Sequence, residues 1–186
     1  MSQTYKYKST FEAFQEKVVG DLNLELAEHY KGLIKRKVLP APTISRDVFF
    51  DKDNVIKVSS GNFDWDKERL WNEFKIGRGL ENIGLNVPRM YGVYFGDEIS
   101  FLVMSRLNII ELNFSGGLNL TSGEINTART QFDEQVVRAE RFGYHSSDVH
   151  FDPDSQIGLY FHNCGFNRDD KKLYFFDFGR WEEFRN

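Results

Sequence analysis

Cysteine is almost absent: Cys164 is the single thiol in 186 residues. One cysteine excludes an internal disulfide and any zinc site built from several thiolates, and it fits a reducing compartment. Long apolar runs are missing too. No uninterrupted stretch approaches the roughly 18 residues that span a bilayer, and the opening "MSQTYKYKSTFEAF" has no apolar signal core, so no membrane is expected and the expected location is cytoplasmic. Positive charge is not in excess. The formal net charge is −4, which argues against broad contact with a nucleic-acid backbone. Internal repeats, low-complexity tracts and lipidation signals are lacking as well. A further scarcity is local: no glycine lies between Gly32 and Gly61.

Aromatic residues are abundant, with 18 Phe and 8 Tyr. Together with the length they predict one domain with a true hydrophobic core. Ser9-Thr10-Phe11-Glu12 has the pattern of a capping box, predicting a first helix that carries Phe14 and Val18. A second helix is predicted over Asn23–Arg36, with Leu24, Leu26, Ala27, Tyr30, Leu33 and Ile34 available for packing and a basic end that suits the helix dipole. Pro40 and Pro42 break the pattern. A hairpin follows, Val48–Phe50 and Val55–Ser59 around Lys52-Asp53-Asn54. Residues 64–84 read as a helix with Trp71, Phe74 and Leu80 inward, although Gly77 and Gly79 each weaken it by about 1 kcal/mol. Two strands turn at Gly96-Asp97. Residues 108–123 read as a loop with Gly116-Gly117 as a hinge, then Thr121–Phe142 as a helix, and the chain closes on a strand pair near Cys164–Phe166 and Leu173–Phe176.

Several polar residues interrupt this apolar pattern. Lys57 sits between Ile56 and Val58 in a strand, where a lysine facing water is the plain reading. The following helix carries two carboxylates, Glu68 and Glu73, on different faces, so only one of them can point at Lys57. Fifteen residues after Glu73 the chain reads Gly-Leu-Asn-Val-Pro, ending at Pro88. The stretch Leu173–Arg180, "LYFFDFGR", ends a strand fit for burial on a carboxylate, Asp177, fourteen residues after Asn163.

The ordered set Lys57, Glu73, Val87-Pro88, Asn163 and Asp177 resembles the protein-kinase-like superfamily, in particular its aminoglycoside- and choline-phosphotransferase branch. The resemblance spans about residues 45–180. It implies an α+β, two-lobed fold with a small antiparallel-sheet N-lobe, about residues 1–112, and a reduced C-lobe, about 113–186, forming one kinase-like domain. It implies a nucleotide as ligand, with ATP and Mg2+ as cofactors. Lys57 would position phosphates and Glu73 would hold Lys57. Val103, Met104, Ser105 and Arg106 in "FLVMSRL" would receive the adenine, and Asn163 and Asp177 would bind the metal through oxygen, the donor that Mg2+ prefers. Asp148-Val149-His150 resembles the family's Asp-x-His loop and makes Asp148 the implied base, with His145 and His150 orienting the loop. Two departures stand beside these matches. Gly158 occupies the usual base position, five before Asn163, and the phosphate-binding glycine turn is absent, leaving Ser45-Arg46 as a substitute. Only "RWEEFRN" follows Gly179, so either a protein partner supplies the substrate-binding half of a full kinase, or helices at 9–36 pack in its place, or there is no phosphoryl-transfer substrate. The readings are a small phosphotransferase acting on a protein or small-molecule hydroxyl, a pseudokinase that regulates a partner, or an unrelated α+β domain in which "FFDFG" is core and turn.

Overall fold

The computed structural model describes residues 17–36, 48–59, 64–112, 119–147 and 163–184. Its centre is a five-stranded antiparallel sheet in the order β1-β4-β5-β3-β2, formed by β1 (Lys17–Gly20), β2 (Val48–Asp51), β3 (Asn54–Ser59), β4 (Met90–Phe95) and β5 (Ser100–Ser105). The predicted hairpin is β2–β3, paired from Val48 opposite Lys57 to Asp51 opposite Asn54. The predicted pair at Gly96-Asp97 is β4–β5.

Strand alternation divides the sheet's two faces. Ile56, Val58, Tyr94, Phe101 and Val103 point to one side, where they bury Ala27 and Tyr30 of α1 (Leu24–Lys35). Leu102, Met104, Val93 and Phe95 point to the other side, toward Leu70, Phe74, Ile76 and Leu80 of α2 (Asp64–Asn82). The Asn23 side chain caps α1 by accepting from the Leu26 N–H at 2.7 Å. The Tyr30 hydroxyl ties α1 to the hairpin: it donates to Asp51 Oδ2 at 3.1 Å and accepts from Asn54 Nδ2 at 2.8 Å. α2 runs through Gly77 and Gly79 because both are contact points. A Cβ on Gly77 would lie 2.8 Å from Met90 Cγ, and one on Gly79 would strike the Tyr144 phenol. The glycines trade helix propensity for close approach.

The second half of the chain is built on α3 (Ser122–Arg141), whose start is a complete capping box between Thr121 and Glu124. Beside it lie a three-stranded sheet, β6 (Ile110–Glu111), β8 (Cys164–Asn167) and β9 (Lys172–Phe175) in the order β6-β8-β9, and a two-stranded pair, β7 (Tyr144–Ser146) with β10 (Trp181–Glu183). A buried polar side chain helps to join the halves, beside a shared apolar core. Gln135 of α3 accepts from the Asn86 N–H at 2.7 Å and donates to the Leu173 carbonyl at 3.0 Å, while the Phe175 N–H donates to the Asn86 carbonyl at 3.0 Å. The Gly-Leu-Asn-Val-Pro segment is thus hydrogen-bonded into the edge of β9.

Four expectations change. Val18 is in strand β1, not in a helix with Phe14: Val18-Val19 pairs with Tyr94 and Val93 on the otherwise open edge of β4, and long-range pairing outweighs the local helical pattern. Leu24 is 64% exposed, because as the first residue of α1 it lies beyond the packed stripe. Residues 110–111 form β6 rather than loop, and Trp181–Glu183 pair with β7, strands too short for periodicity to reveal. The helix over residues 24–35 packs on the first sheet rather than on the second half of the chain. The Ser9–Phe14 capping pattern and the Gly116-Gly117 hinge lie outside the described residues.

Gln135→Leu is expected to cost about 1–3 kcal/mol, because it leaves the Asn86 N–H and the Leu173 carbonyl without their partner; urea denaturation with an unchanged m-value measures it. Burial, with the Asp51 carboxylate beside it, outweighs the Asn54 hydrogen bond and raises the Tyr30 hydroxyl to about 12 from an ordinary 10.0. A raised value means that folding favours the protonated form. The contribution is therefore complete below pH 10 and is lost as pH rises through about 12, amounting to roughly 2–3 kcal/mol. Tyr30→Phe should show a shallower fall in unfolding free energy between those limits.

Candidate active site

Three elements meet at Lys57. In β3 the alternation that sends Ile56 and Val58 toward α1 sends Lys57 the opposite way, across from Leu102 of β5. Glu73 of α2 faces it from the next layer and is only 3% exposed. Lys57 Nζ donates to Glu73 Oε1 and, at 3.0 Å, to Asp177 Oδ1. Of the two carboxylates left open by the sequence, Glu73 makes the pair, while Glu68 is exposed. A lysine with two carboxylates is no solvated strand residue.

The carboxylate at the end of "LYFFD" has a local cause. Leu173 and Phe175 are fully buried and carry β9 into the core, and Phe178 beyond them is 1% exposed. Between these anchors the backbone turns: Asp177 has φ +58° and ψ +71°, a left-handed conformation unusual for a non-glycine residue. Its carboxylate is delivered to Lys57 and remains 46% exposed. Asn163 also has a positive φ, +55°, and its carbonyl accepts from the Phe176 N–H at 2.9 Å. The β8–β9 ladder therefore brings Asn163 opposite Phe176, the residue before Asp177, although fourteen residues separate Asn163 from Asp177 in sequence. Left-handed backbone at both positions is strain of the kind that functional sites retain. The pair offers a carboxylate and an amide, oxygen donors that suit Mg2+. Among the described residues no group of three or more His, Cys, Asp or Glu side chains is placed to hold a metal.

Charge sets the ionisation of the site. Burial alone would push the Lys57 ammonium down, but Glu73 and then Asp177 outweigh it and hold its pKa above the ordinary lysine value. Burial would likewise raise the Asp177 carboxyl. Lys57, with help from Arg69 and the Gly179 N–H, leaves it below the ordinary aspartate value. Both groups are thus charged at neutral pH. Cys164, next to Asn163, is buried and its thiol is pushed well up, so it contributes packing and no thiolate.

The segment read as adenine-receiving lies at the end of β5 and just beyond it. Met104 faces the α2 side of the sheet and is buried there. Val103 points the other way, packed in the cluster that holds Tyr30, because adjacent strand residues alternate; its side chain does not face Lys57. The Ser105 N–H donates to the Arg89 carbonyl at 2.9 Å and the Arg106 N–H to the Asp53 carbonyl at 2.7 Å, so neither is free for a base. The Arg106 guanidinium lies 5.1 Å from the centre of the Phe50 ring. His145 is in β7, with its ring 6.2 Å from Phe184. Asp148, His150, Gly158 and Ser45-Arg46 lie outside the described residues. One residue escaped the sequence reading: Arg69 of α2 lies beside Gly179, and its charge acts on Asp177. Its spacing of four before Glu73, on one face of the helix, was the available signal.

Removing Lys57 strands a buried carboxylate. Lys57→Met is expected to lower stability by about 3–5 kcal/mol, the usual cost of breaking one side of a buried pair. Adding Glu73→Leu should restore most of it. A double-mutant cycle by chemical denaturation tests the coupling, and additive losses would disprove it.

No protein-family model matches this chain, and no curated protein does. Solved structures do. The kinase PK-1 of Cydia pomonella granulovirus superposes with a TM-score of 0.54 at 14% identity, over 84% of this chain and 57% of that one. The bifunctional kinase-methyltransferase WbdD superposes with a TM-score of 0.50 at 16% identity, over 74% of this chain and 30% of that one. The chain thus spans little more than half of the first protein and under a third of the second. Identities this low carry the architecture and not the activity. The five-stranded sheet, α2 set against it and the β8–β9 hairpin ending on Asp177 form a protein-kinase-like fold.

Proposed function

We propose that this chain is an ATP- and Mg2+-dependent phosphotransferase acting on a hydroxyl of a protein or small molecule. The observation that carries the reading is the continuous ionic chain Glu73–Lys57–Asp177, which joins α2, β3 and the end of β9. A helix carboxylate held on a strand lysine, next to a carboxylate with an amide neighbour, is the arrangement that positions nucleotide phosphates. In this reading Lys57 binds phosphate oxygens and Glu73 keeps it extended. Asn163 and Asp177 hold Mg2+, which when bound neutralises charge on the transferring phosphoryl group. Asp148 accepts the proton of the acceptor hydroxyl as its oxygen bonds to the γ-phosphorus and the bond to the β-phosphate oxygen breaks, releasing ADP. Membership in the aminoglycoside- and choline-phosphotransferase branch is part of the proposal and is supported by Val87-Pro88 and Asp148-Val149-His150.

A second reading, a catalytically inactive pseudokinase that binds a regulated protein, is favoured by a separate observation. The engaged N–H groups of Ser105 and Arg106 take away donors that a base would use. The missing glycine turn points the same way.

A thermal-shift titration separates them. Saturating ATP with Mg2+ should raise the midpoint, since a ligand at a hundred times its Kd stabilises by about 2.7 kcal/mol. Asp177→Asn should lose the Mg2+-dependent part of the shift. No shift at millimolar ATP would discard the enzyme in favour of the pseudokinase. In the enzyme reading, Asp148→Asn should bind ATP normally but lose about 100-fold or more in turnover, the scale of general-base catalysis; unchanged turnover would remove Asp148 from the mechanism.

A further inference from the structure

The ionic chain leaves little positive charge for an incoming phosphate. An ammonium has three donors, and Lys57 commits two of them to Glu73 and Asp177. Lys57, Glu73 and Asp177 together sum to one net negative charge, which repels a phosphate unless another cation is near. That cation is Arg69. It lies one helical turn before Glu73 on α2, and its guanidinium sits over Gly179, two residues past Asp177. A Cβ placed on Gly179 would lie 3.3 Å from Arg69 Nε and 3.4 Å from Nη2. The side chain is exposed, and among the described residues it makes no hydrogen bond or ion pair. Two other arginines of the first half of the chain are engaged elsewhere: Arg78 pairs with Asp21 at 3.1 Å, and Arg106 reaches the Lys52 carbonyl at 3.5 Å. Arg69 thus keeps its five donors available beside the Asp177 end of the site.

We propose that Arg69 is a phosphate-binding residue of this site, taking the phosphate end of the nucleotide together with Lys57. This deepens the nucleotide-binding reading and rests on it. Arg69 compensates for the missing glycine turn: one planar, permanently charged fork on a helix takes the place of backbone N–H groups on a loop. With Arg69 included, the four charged groups sum to zero. A phosphate chain then meets two cations near Asp177, Lys57 bonded to it and Arg69 over Gly179, whereas Mg2+ arriving alone meets a carboxylate already shared with Lys57. Phosphate contact at Arg69 therefore needs no metal.

The test is calorimetric titration with ATP, ADP and adenosine, each with and without Mg2+, on the wild type, Arg69→Gln and Arg69→Lys. Loss of one charged contact should weaken ATP binding by about ten- to a hundredfold in Arg69→Gln, both with and without Mg2+, while adenosine binds equally to both proteins. Arg69→Lys should recover part of the loss. Lys75→Gln, an exposed charge elsewhere on α2, should match the wild type. Unchanged ATP affinity in Arg69→Gln, with a wild type that binds, would overturn the assignment of Arg69 alone. A loss confined to the Mg2+ titrations would overturn it too, since Arg69 would then act only by holding Asp177. A wild type that binds neither ATP nor ADP would overturn the underlying nucleotide-binding reading with it. Arg69 is on the surface, and the ligand-free unfolding midpoint of each variant confirms that it folds.

Discussion

The pairing of Lys57 with Glu73 and Asp177 is the constraint around which the rest is arranged. A charge taken from water costs several kcal/mol unless it is matched, and Glu73 is almost wholly buried. Its matching cation among the described residues is on another element, so α2 cannot rotate or slide along the sheet without exposing that cost. The same lysine reaches Asp177, so the end of β9 is held to the first sheet as well. Three elements distant in sequence share one electrostatic minimum. The arrangement orders the three side chains among themselves, with no ligand needed to hold them.

Around this pair neutral amide hydrogen bonds help to join the halves, beside the Arg138 guanidinium, which donates to the Gly84 carbonyl at 2.9 Å. Gln135 is buried, and both ends of its amide meet backbone groups of other segments. Gln131, one turn earlier, does the same at the edge of β9, donating to the Lys171 carbonyl and accepting from the Leu173 N–H. An amide can do this at low cost because it carries a donor and an acceptor and no net charge to desolvate. The Asn86 segment, β9 and α3 are thereby fixed to one another, and β9 is what delivers Asp177. The far face of the sheet is covered by α1, and β1 pairs with what would otherwise be an open edge at β4. No helix among the described residues is long and apolar enough to cross a membrane.

Much of this was legible in the amino-acid sequence by itself. The hairpin at Lys52-Asp53, the helix from 64, the helix from 121 and the last hairpin follow from alternation, helical spacing and turn residues, which act over a few neighbours. The candidate residues Lys57, Glu73, Asn163 and Asp177 were picked out by their resemblance to an ordered kinase-like set, with Glu68 left open beside Glu73, and the structure brings Lys57, Glu73 and Asp177 together. The sequence also determined that a carboxylate would end a buried strand. Tertiary structure alone decided the rest. It chose Glu73 over Glu68, since helix phase relative to a sheet depends on packing. It made a strand of Lys17–Gly20 and turned Val103 away from Lys57, since both depend on which partner lies across a sheet. It placed Arg69 beside Gly179, 110 positions away in the chain. Periodicity is a local property and contact across a fold is not; the division between the two readings falls along that line.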